Sequence, residues 1–245
     1  MRVVETAALA LIGNELLSGK IQDANLLELA RTLRAIGVRL TRVVMLPDEI
    51  DTIATEVRAL ADTHDVVFTS GGVGPTHDDV SLEAVAAAFG VPALMHDGLR
   101  AMLERAYGER CTPGHLRMAL VPEGAELAVS EEVSWPTVVM RNVWVLPGVP
   151  EIFRMKLAVV RAHLRGPRAF VSRAVFTGMD EGELKALLDR VVAGHGEVEV
   201  GSYPKFFDPS YRTKITFDAR DRDKVDAALE AFLALLPAGE PLRVD

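Results

Sequence analysis

Cysteine is nearly absent from the 245-residue chain, which has only Cys111. An internal disulfide and any multi-cysteine metal site are thereby excluded, and a reducing, cytoplasmic setting is the expectation. Aromatics are scarce at 6%, and Trp135 and Trp144 lie in strand-like stretches where they read as core or sheet-face residues, not as a stacking platform. Basic residues are outnumbered, 27 against 35, for a formal net charge of −8. That balance argues against a general nucleic-acid binder, which would show a basic face. A small anionic ligand stays open if glycine N–H groups, a few basic side chains or a cation meet it. No apolar run is long enough to span a bilayer. Residues 7–12 are too short for a signal segment, and Glu5, Asn14 and Glu15 beside them spoil that pattern. With 49% hydrophobic and 25% charged residues, the chain can bury a sizeable core as one large domain or a main domain with a small appendage.

What is present is concentrated in residues 66–79, VVFTSGGVGPTHDD. Val66, Val67 and Phe68 read as a strand buried on both faces. The run stops at Ser70, Gly71, Gly72 and Gly74, and glycine accepts positive φ and brings bare backbone N–H groups close to a ligand. Leu82, Val85, Ala86 and Phe89 follow at helical spacing, which places Asp78 and Asp79 at or just before a helix N-terminus. There the helix dipole lowers carboxylate pKa values, so both acids are expected to be ionised and to suit a metal better than a proton shuttle. The glycines fit neither Walker nor Rossmann spacing. One helix cap needs only one acceptor, and two adjacent carboxylates behind three glycines exceed that need.

Taken from the start, residues 6–12 form a first central strand ending at Gly13. Leu26, Leu29, Ala30, Leu33 and Ile36 mark a helix, with Asn25 and Glu28 making a capping-box-like start. Asn25 reads equally well as a plain N-cap or as a ligand residue. Glu15, Lys20 and Asp23 fall in the loop beyond the strand's carboxyl end, where open α/β sheets bind ligands. A second strand, 38–46, leads through Pro47 and Asp48 into a helix carrying Ile53, Val57 and Leu60. Asp48 alone reads first as a turn or N-cap residue. Two βα repeats and a third strand predict a parallel three-layer α/β sheet.

Residues 110–122 are weakly patterned, and His115 and Arg117 there read as solvated or locally paired side chains before ligand contacts. Strand signals return at 126–129 and 137–146, with a turn at Arg141 and Asn142. Pro147 and Gly148 then precede a helix opened by Pro150 and Glu151, which makes a third loop on the same sheet edge. Gly166-Pro167 marks a boundary between domains at 1–166 and 167–245. The remainder alternates βαββαβ, a small split α+β domain. Tyr203 and Tyr211 flank its central turn and read first as hairpin packing.

Residues 13–25, 71–79 and 146–150 together resemble the molybdopterin-binding-like domain of MoaB/Mog-type molybdenum-cofactor proteins, of the N-terminal half of CinA-type competence proteins and of FAD synthases. The resemblance covers about two-thirds of the chain, and GGVGPTHDD is specific to the CinA and FAD-synthase branch. The tail resembles the small domain that follows in that branch. The resemblance implies that Asp79 is the catalytic or metal-associated acid and that Asp48 is a second family acid. It also implies that Gly71, Gly72 and Gly74 form a backbone cradle beside Ser70, with Gly13, Glu15, Lys20 and Asn25 on the first loop and Pro147 and Gly148 on the third. Asp78 stands where molybdenum-cofactor relatives carry a basic residue, which sets this chain apart from a molybdopterin role. The chain ends before any CinA-type amidohydrolase domain and has no FAD-synthesising domain, so those two activities are expected to be absent.

A pyrophosphate on the glycine loop would face Asp78 and Asp79, and carboxylate repels phosphate unless a cation lies between them. A divalent ion (Mg²⁺, Mn²⁺ or Co²⁺) on Asp79 with Asp78 or Asp48 would meet that need. The expected function is metal-dependent hydrolysis of an ADP-ribose-like or FAD-like pyrophosphate. The alternatives are molybdopterin binding, with or without adenylyl transfer, and a non-catalytic nucleotide-binding module. A homo-oligomer without membrane or nucleic-acid partners is expected.

Overall fold

Strand β1 (Thr6–Ile12) sets the architecture, because nearly every side chain on it is apolar and it must be covered on both faces. Ala7, Leu9 and Leu11 point into one core and Ala8, Ala10 and Ile12 into another. The computed structural model describes residues 1–207 and 209–245, which form two compact units, Met1–Pro167 and Arg168–Asp245.

In the first unit β1 sits inside a six-stranded sheet. The other strands are β2 (Arg39–Leu46), β3 (Val66–Ser70), β4 (Glu126–Ala128), β5 (Thr137–Met140) and β6 (Val143–Leu146), in the spatial order β2-β1-β3-β6-β5-β4. The first four run parallel, and β5 and β4 close the edge antiparallel. Helices α2 (Asn25–Ala35) and α7 (Pro150–His163) cover one face. Helices α3 (Ile50–Thr63), α4 (Ser81–Ala88) and α5 (Asp97–Tyr107) cover the other. The fold is therefore a three-layer, mainly parallel α/β sheet. The β5–β6 turn falls at Arg141 and Asn142, with Arg141 at φ 55°. Asn142 Nδ2 ties that turn to the carbonyls of Ala61 and His64, both at 2.9 Å.

The chain leaves β1 for β2 on one side and returns past it to β3 on the other. This reversal opens a crevice at the carboxyl ends of β1 and β3. Register brings the strand ends level: Leu11 pairs with Ser70, Ser70 with Leu146, and Ile12 with Leu46. Three glycine-bearing loops consequently leave the sheet at one height.

The weakly patterned residues 110–122 are more ordered than their sequence suggests. They hold the short helix α6 (Pro113–Arg117), capped reciprocally by Thr112 and His115, and a strand, Leu120–Pro122, paired antiparallel with Ala93–Met95. A local cap, a pairing with a distant strand and the burial of Ala119 and Val121 hold this segment, so local pattern alone does not reveal it.

The second unit contains β7 (Val171–Thr177), α8 (Glu181–Gly194), β8 (Glu199–Pro204), β9 (Thr213–Ala219), α9 (Arg222–Leu233) and β10 (Arg243–Val244). Its strands order β8-β9-β7-β10, all antiparallel. The two helices cover one face with a core of Val175, Leu184, Phe217 and Phe232. Tyr211 packs edge-on against Phe176 at 4.9 Å, in keeping with a hairpin-packing role.

Candidate functional site

Each of the three loops is held by backbone-directed hydrogen bonds, which leaves its outer surface free to meet a ligand. The first loop starts where Asp48 Oδ2 accepts from Asn14 N at 2.8 Å. It ends where Asp23 Oδ1 accepts from Leu26 N at 2.9 Å. Asp23, not Asn25, therefore serves the start of α2. Asn25 is 3% exposed, and its Nδ2 donates to Ser70 Oγ at 3.0 Å and to Gly148 O at 2.8 Å. One amide thus joins the ends of all three loops, while its buried Oδ1 has no partner among the described residues.

The second loop turns back on the sheet at Gly71, φ +107°, where a Cβ would stand 2.1 Å from Ile12 O. At Gly72, φ +64°, a Cβ would stand 2.4 Å from Ser81 Oγ. Only glycine reconciles these angles with such close neighbours. Ser81, fully buried, secures the turn: its Oγ donates to Gly71 O at 2.7 Å and its N to Gly72 O at 2.9 Å. On the third loop, a Cβ at Gly148 would come within 3.2 Å of Gly71 Cα, so the two loops touch backbone to backbone.

Between the loops lies a cavity of ≈ 590 Å³. The first loop contributes Glu15 and Asn25 to its wall, β3 and the second loop Ser70, Gly71, Gly72, Gly74 and Asp79, and the third Pro147 and Gly148. Four expected site residues stand outside that lining. Gly13 lies behind Glu15, whose Oε1 would be 2.4 Å from a Cβ there. Lys20 is exposed to solvent. Asp48 spends its carboxylate on the N-terminus of the first loop's helical turn, α1 (Asn14–Leu17). Asp78 faces outward with a side chain 58% exposed.

The acid pair also differs from the helix-cap expectation. The N-cap of α4 is Val80, and no side chain bonds to that end. Asp79 instead folds back over its own loop, with Oδ2 accepting from Thr76 N at 2.9 Å and lying 2.5 Å from Thr76 Oγ1. Asp78 Oδ1 approaches the same hydroxyl at 2.5 Å. The Thr76 hydroxyl, then its own backbone N–H, holds the Asp78 carboxyl below the usual carboxylate range. Asp78 is ionised at neutral pH, and its carboxylate form is favoured further by these local hydrogen bonds. Among the described residues no group of three or more His, Cys, Asp or Glu side chains gathers to hold a metal.

Sequence reasoning missed Thr76 and Ser81, which shape the loop, and Tyr107 and Met118, which line its cavity. A Ser two residues after an acid pair at a helix start was the one available signal. Arg117 is locally paired, as read: Nη1 donates to Thr76 O at 3.4 Å and Nη2 to Glu83 Oε1 at 3.3 Å.

Residues 8–165 match the profile of the probable molybdopterin binding domain, and residues 169–245 that of the middle domain of FAD synthase. The chain belongs to the molybdopterin-binding domain family. A protein of Archaeoglobus fulgidus is 31% identical over 226 residues, 92% of this chain and 95% of that one. A CinA-like protein of Myxococcus xanthus is 35% identical over 89% of this chain, and a probable FAD synthase of Caenorhabditis briggsae 29% over 95%. The chain spans only 55% and 50% of those two relatives. The crystal structure of CinA from Thermoplasma acidophilum superposes with a TM-score of 0.59 at 27% identity, covering 65% of this chain and 97% of that one. No helix among the described residues is long and apolar enough to cross a membrane.

Proposed function

We propose that the cleft binds a nucleotide pyrophosphate of the ADP-ribose or FAD kind and hydrolyses it to two monophosphates with the help of a divalent cation. The observation that carries this reading is that Asp79 lines the same cavity as the glycine turn of Gly71, Gly72 and Gly74, folded over that loop so that a Cβ at Gly74 would stand 2.5 Å from its Oδ2. Gly71 N is committed to Leu146 O at 3.2 Å, so phosphate would be met from Gly72 onward, where backbone N–H groups suit phosphate oxygens, and a carboxylate on the same loop suits a cation that the phosphate brings or shares. Thr76 supplies the test of fit. Its single hydroxyl proton serves one of two carboxylate oxygens at 2.5 Å, so the other meets an oxygen lone pair. A hard cation at this all-oxygen set would offset the excess negative charge. Mg²⁺ and similar ions take one or two carboxylates plus phosphate oxygens and water, so a cluster of three protein ligands is not required.

When bound, such an ion neutralises charge on the phosphates and favours attack by water. Water adds to one phosphorus, the bridging P–O bond breaks and a proton is released. The protein's own part is positional. Thr76 N–H holds Asp79 against the glycine loop, Ser81 fixes the glycine turn, and Asn25 locks the third loop to the other two. The relatives' names, probable FAD synthase and CinA-like protein, support a nucleotide ligand. The family profile itself favours a second reading, binding of a pterin. The same proposal takes the protein to be a cytoplasmic homo-oligomer, which size-exclusion chromatography with light scattering would check.

The test is AMP release from ADP-ribose and from FAD, offered separately with Mg²⁺, Mn²⁺ or Co²⁺. Metal-dependent AMP that vanishes in Asp79→Asn is the expected result. No AMP with any metal, together with tight pterin binding, would replace the hydrolase by the second reading.

A further inference from the structure

The cavity has an apolar wall that pyrophosphate chemistry leaves unused. Ile21 of the first loop, Val149 of the third and Ile152 in the first turn of α7 are 58%, 52% and 41% exposed, and all three line the cavity that contains the glycine turn. Large aliphatic side chains left this open gain by burial. The facing wall differs. Tyr107 and Met118 are half-buried, and Tyr107 already packs on the His115 ring at 3.9 Å. The unsatisfied apolar surface thus lies on one side, beside the loops that would hold the phosphates.

We infer that Ile21, Val149 and Ile152 form the subsite for the flat heteroaromatic base of the nucleotide. This rests on the phosphate reading of the same cleft and adds what recognises the other half of the ligand. The occupant follows from continuity. A ligand whose phosphate meets the glycine turn carries its base only a few bonds away, within the same cavity. The strip is the most exposed large aliphatic surface lining the same ≈ 590 Å³ space, open to a base without entry into the protein core. Aliphatic side chains contact a ring face without reading its edge, so this wall favours a base over none and distinguishes weakly between purine and flavin rings.

The experiment compares AMP with ribose 5-phosphate, which differ only by the base, in binding to the full chain by calorimetry. The variants are wild type and the double variant Ile21→Ala/Ile152→Ala. Both positions are open enough for truncation to preserve the fold, and a circular-dichroism melt checks this. The wild type is expected to prefer AMP by roughly 10-fold or more, and the double variant to lose most of that preference while binding ribose 5-phosphate unchanged. An AMP preference that survives in the double variant overturns the subsite. If that variant instead changes the oligomeric state, the strip belongs to a second copy of the chain, which also overturns it. The readout needs no turnover. A base preference without AMP release in the hydrolysis assay overturns the hydrolase and keeps the subsite, whereas hydrolysis without base preference does the reverse. A wild type that binds neither ligand removes both.

Discussion

Asp78 and Asp79 are neighbours in the chain and share one hydroxyl, yet only Asp79 lines the cleft. The proposed chemistry therefore depends on them unequally. Asp79→Asn keeps the bond from Thr76 N but removes the negative charge lining the cleft, and turnover of ADP-ribose should fall by about 100-fold or more. Asp78→Asn should cost markedly less, and equal losses in kcat would show that both acids act on the substrate. A second residue, Lys156, makes a claim about stability. The residue is 4% exposed, its ammonium donates to Trp135 O and Pro136 O at 2.6 and 2.7 Å, and burial lowers its pKa from 10.5 to about 8. Below about pH 8 both folded and unfolded states carry the proton, and the native state bears the burial cost. Between about 8 and 10.5 the unfolded chain binds more protons than the native one, so stability rises with pH. Relative to Lys156→Met, the wild type should gain roughly 3 kcal/mol across that window. Denaturant titrations at pH 7.5, 9 and 10.5 measure it, and a difference that stays flat would show that the carbonyls keep the ammonium charged.

At the scale of elements, the second loop is the most constrained piece of the fold. Gly71→Ala would place a methyl 2.1 Å from the carbonyl of Ile12 at φ +107°, so β1 or the loop must move. The expected loss is about 3 kcal/mol or more, with ligand binding lost in whatever remains folded. Gly90→Ala is the control, since its φ is +67° but no atom lies within 4 Å. It should cost only about 1 kcal/mol, and thermal melts of the two variants separate steric conflict from backbone strain. The central strands and these glycines were legible because continuous apolar runs and glycine clusters follow directly from burial and backbone geometry. Asp48, which alone reads first as a turn or N-cap residue, does accept from a backbone N–H, that of Asn14, and Lys20 is exposed; neither lines the cavity, because spacing shows which loop a residue occupies but not where its side chain turns. Ser81 and Thr76 escaped notice because their role is to hold backbone atoms, and no periodicity announces that.

For the whole molecule, the question is whether the cleft needs both units. Among the described residues each sheet lies within one unit: the six-stranded sheet and the pairing of Arg2–Val3 with Leu164–Arg165 in the first, and the four-stranded sheet in the second. Their hydrophobic cores are likewise separate. The end of the first unit is pinned to it, since Gly166 N donates to Ile36 O at 2.6 Å and a Cβ at Gly166 would strike the Gly37 carbonyl at 1.9 Å. A fragment ending at Pro167 therefore keeps every hydrogen bond of the cleft and every residue that lines it. It should fold on its own, melt in a single transition and bind AMP within about threefold of the full chain, a difference below about 1 kcal/mol. Turnover supplies the sharper comparison. If AMP release by the fragment matches the full chain, the first unit holds the whole catalytic apparatus. If binding survives and kcat collapses, the second unit contributes to turnover beyond ligand binding.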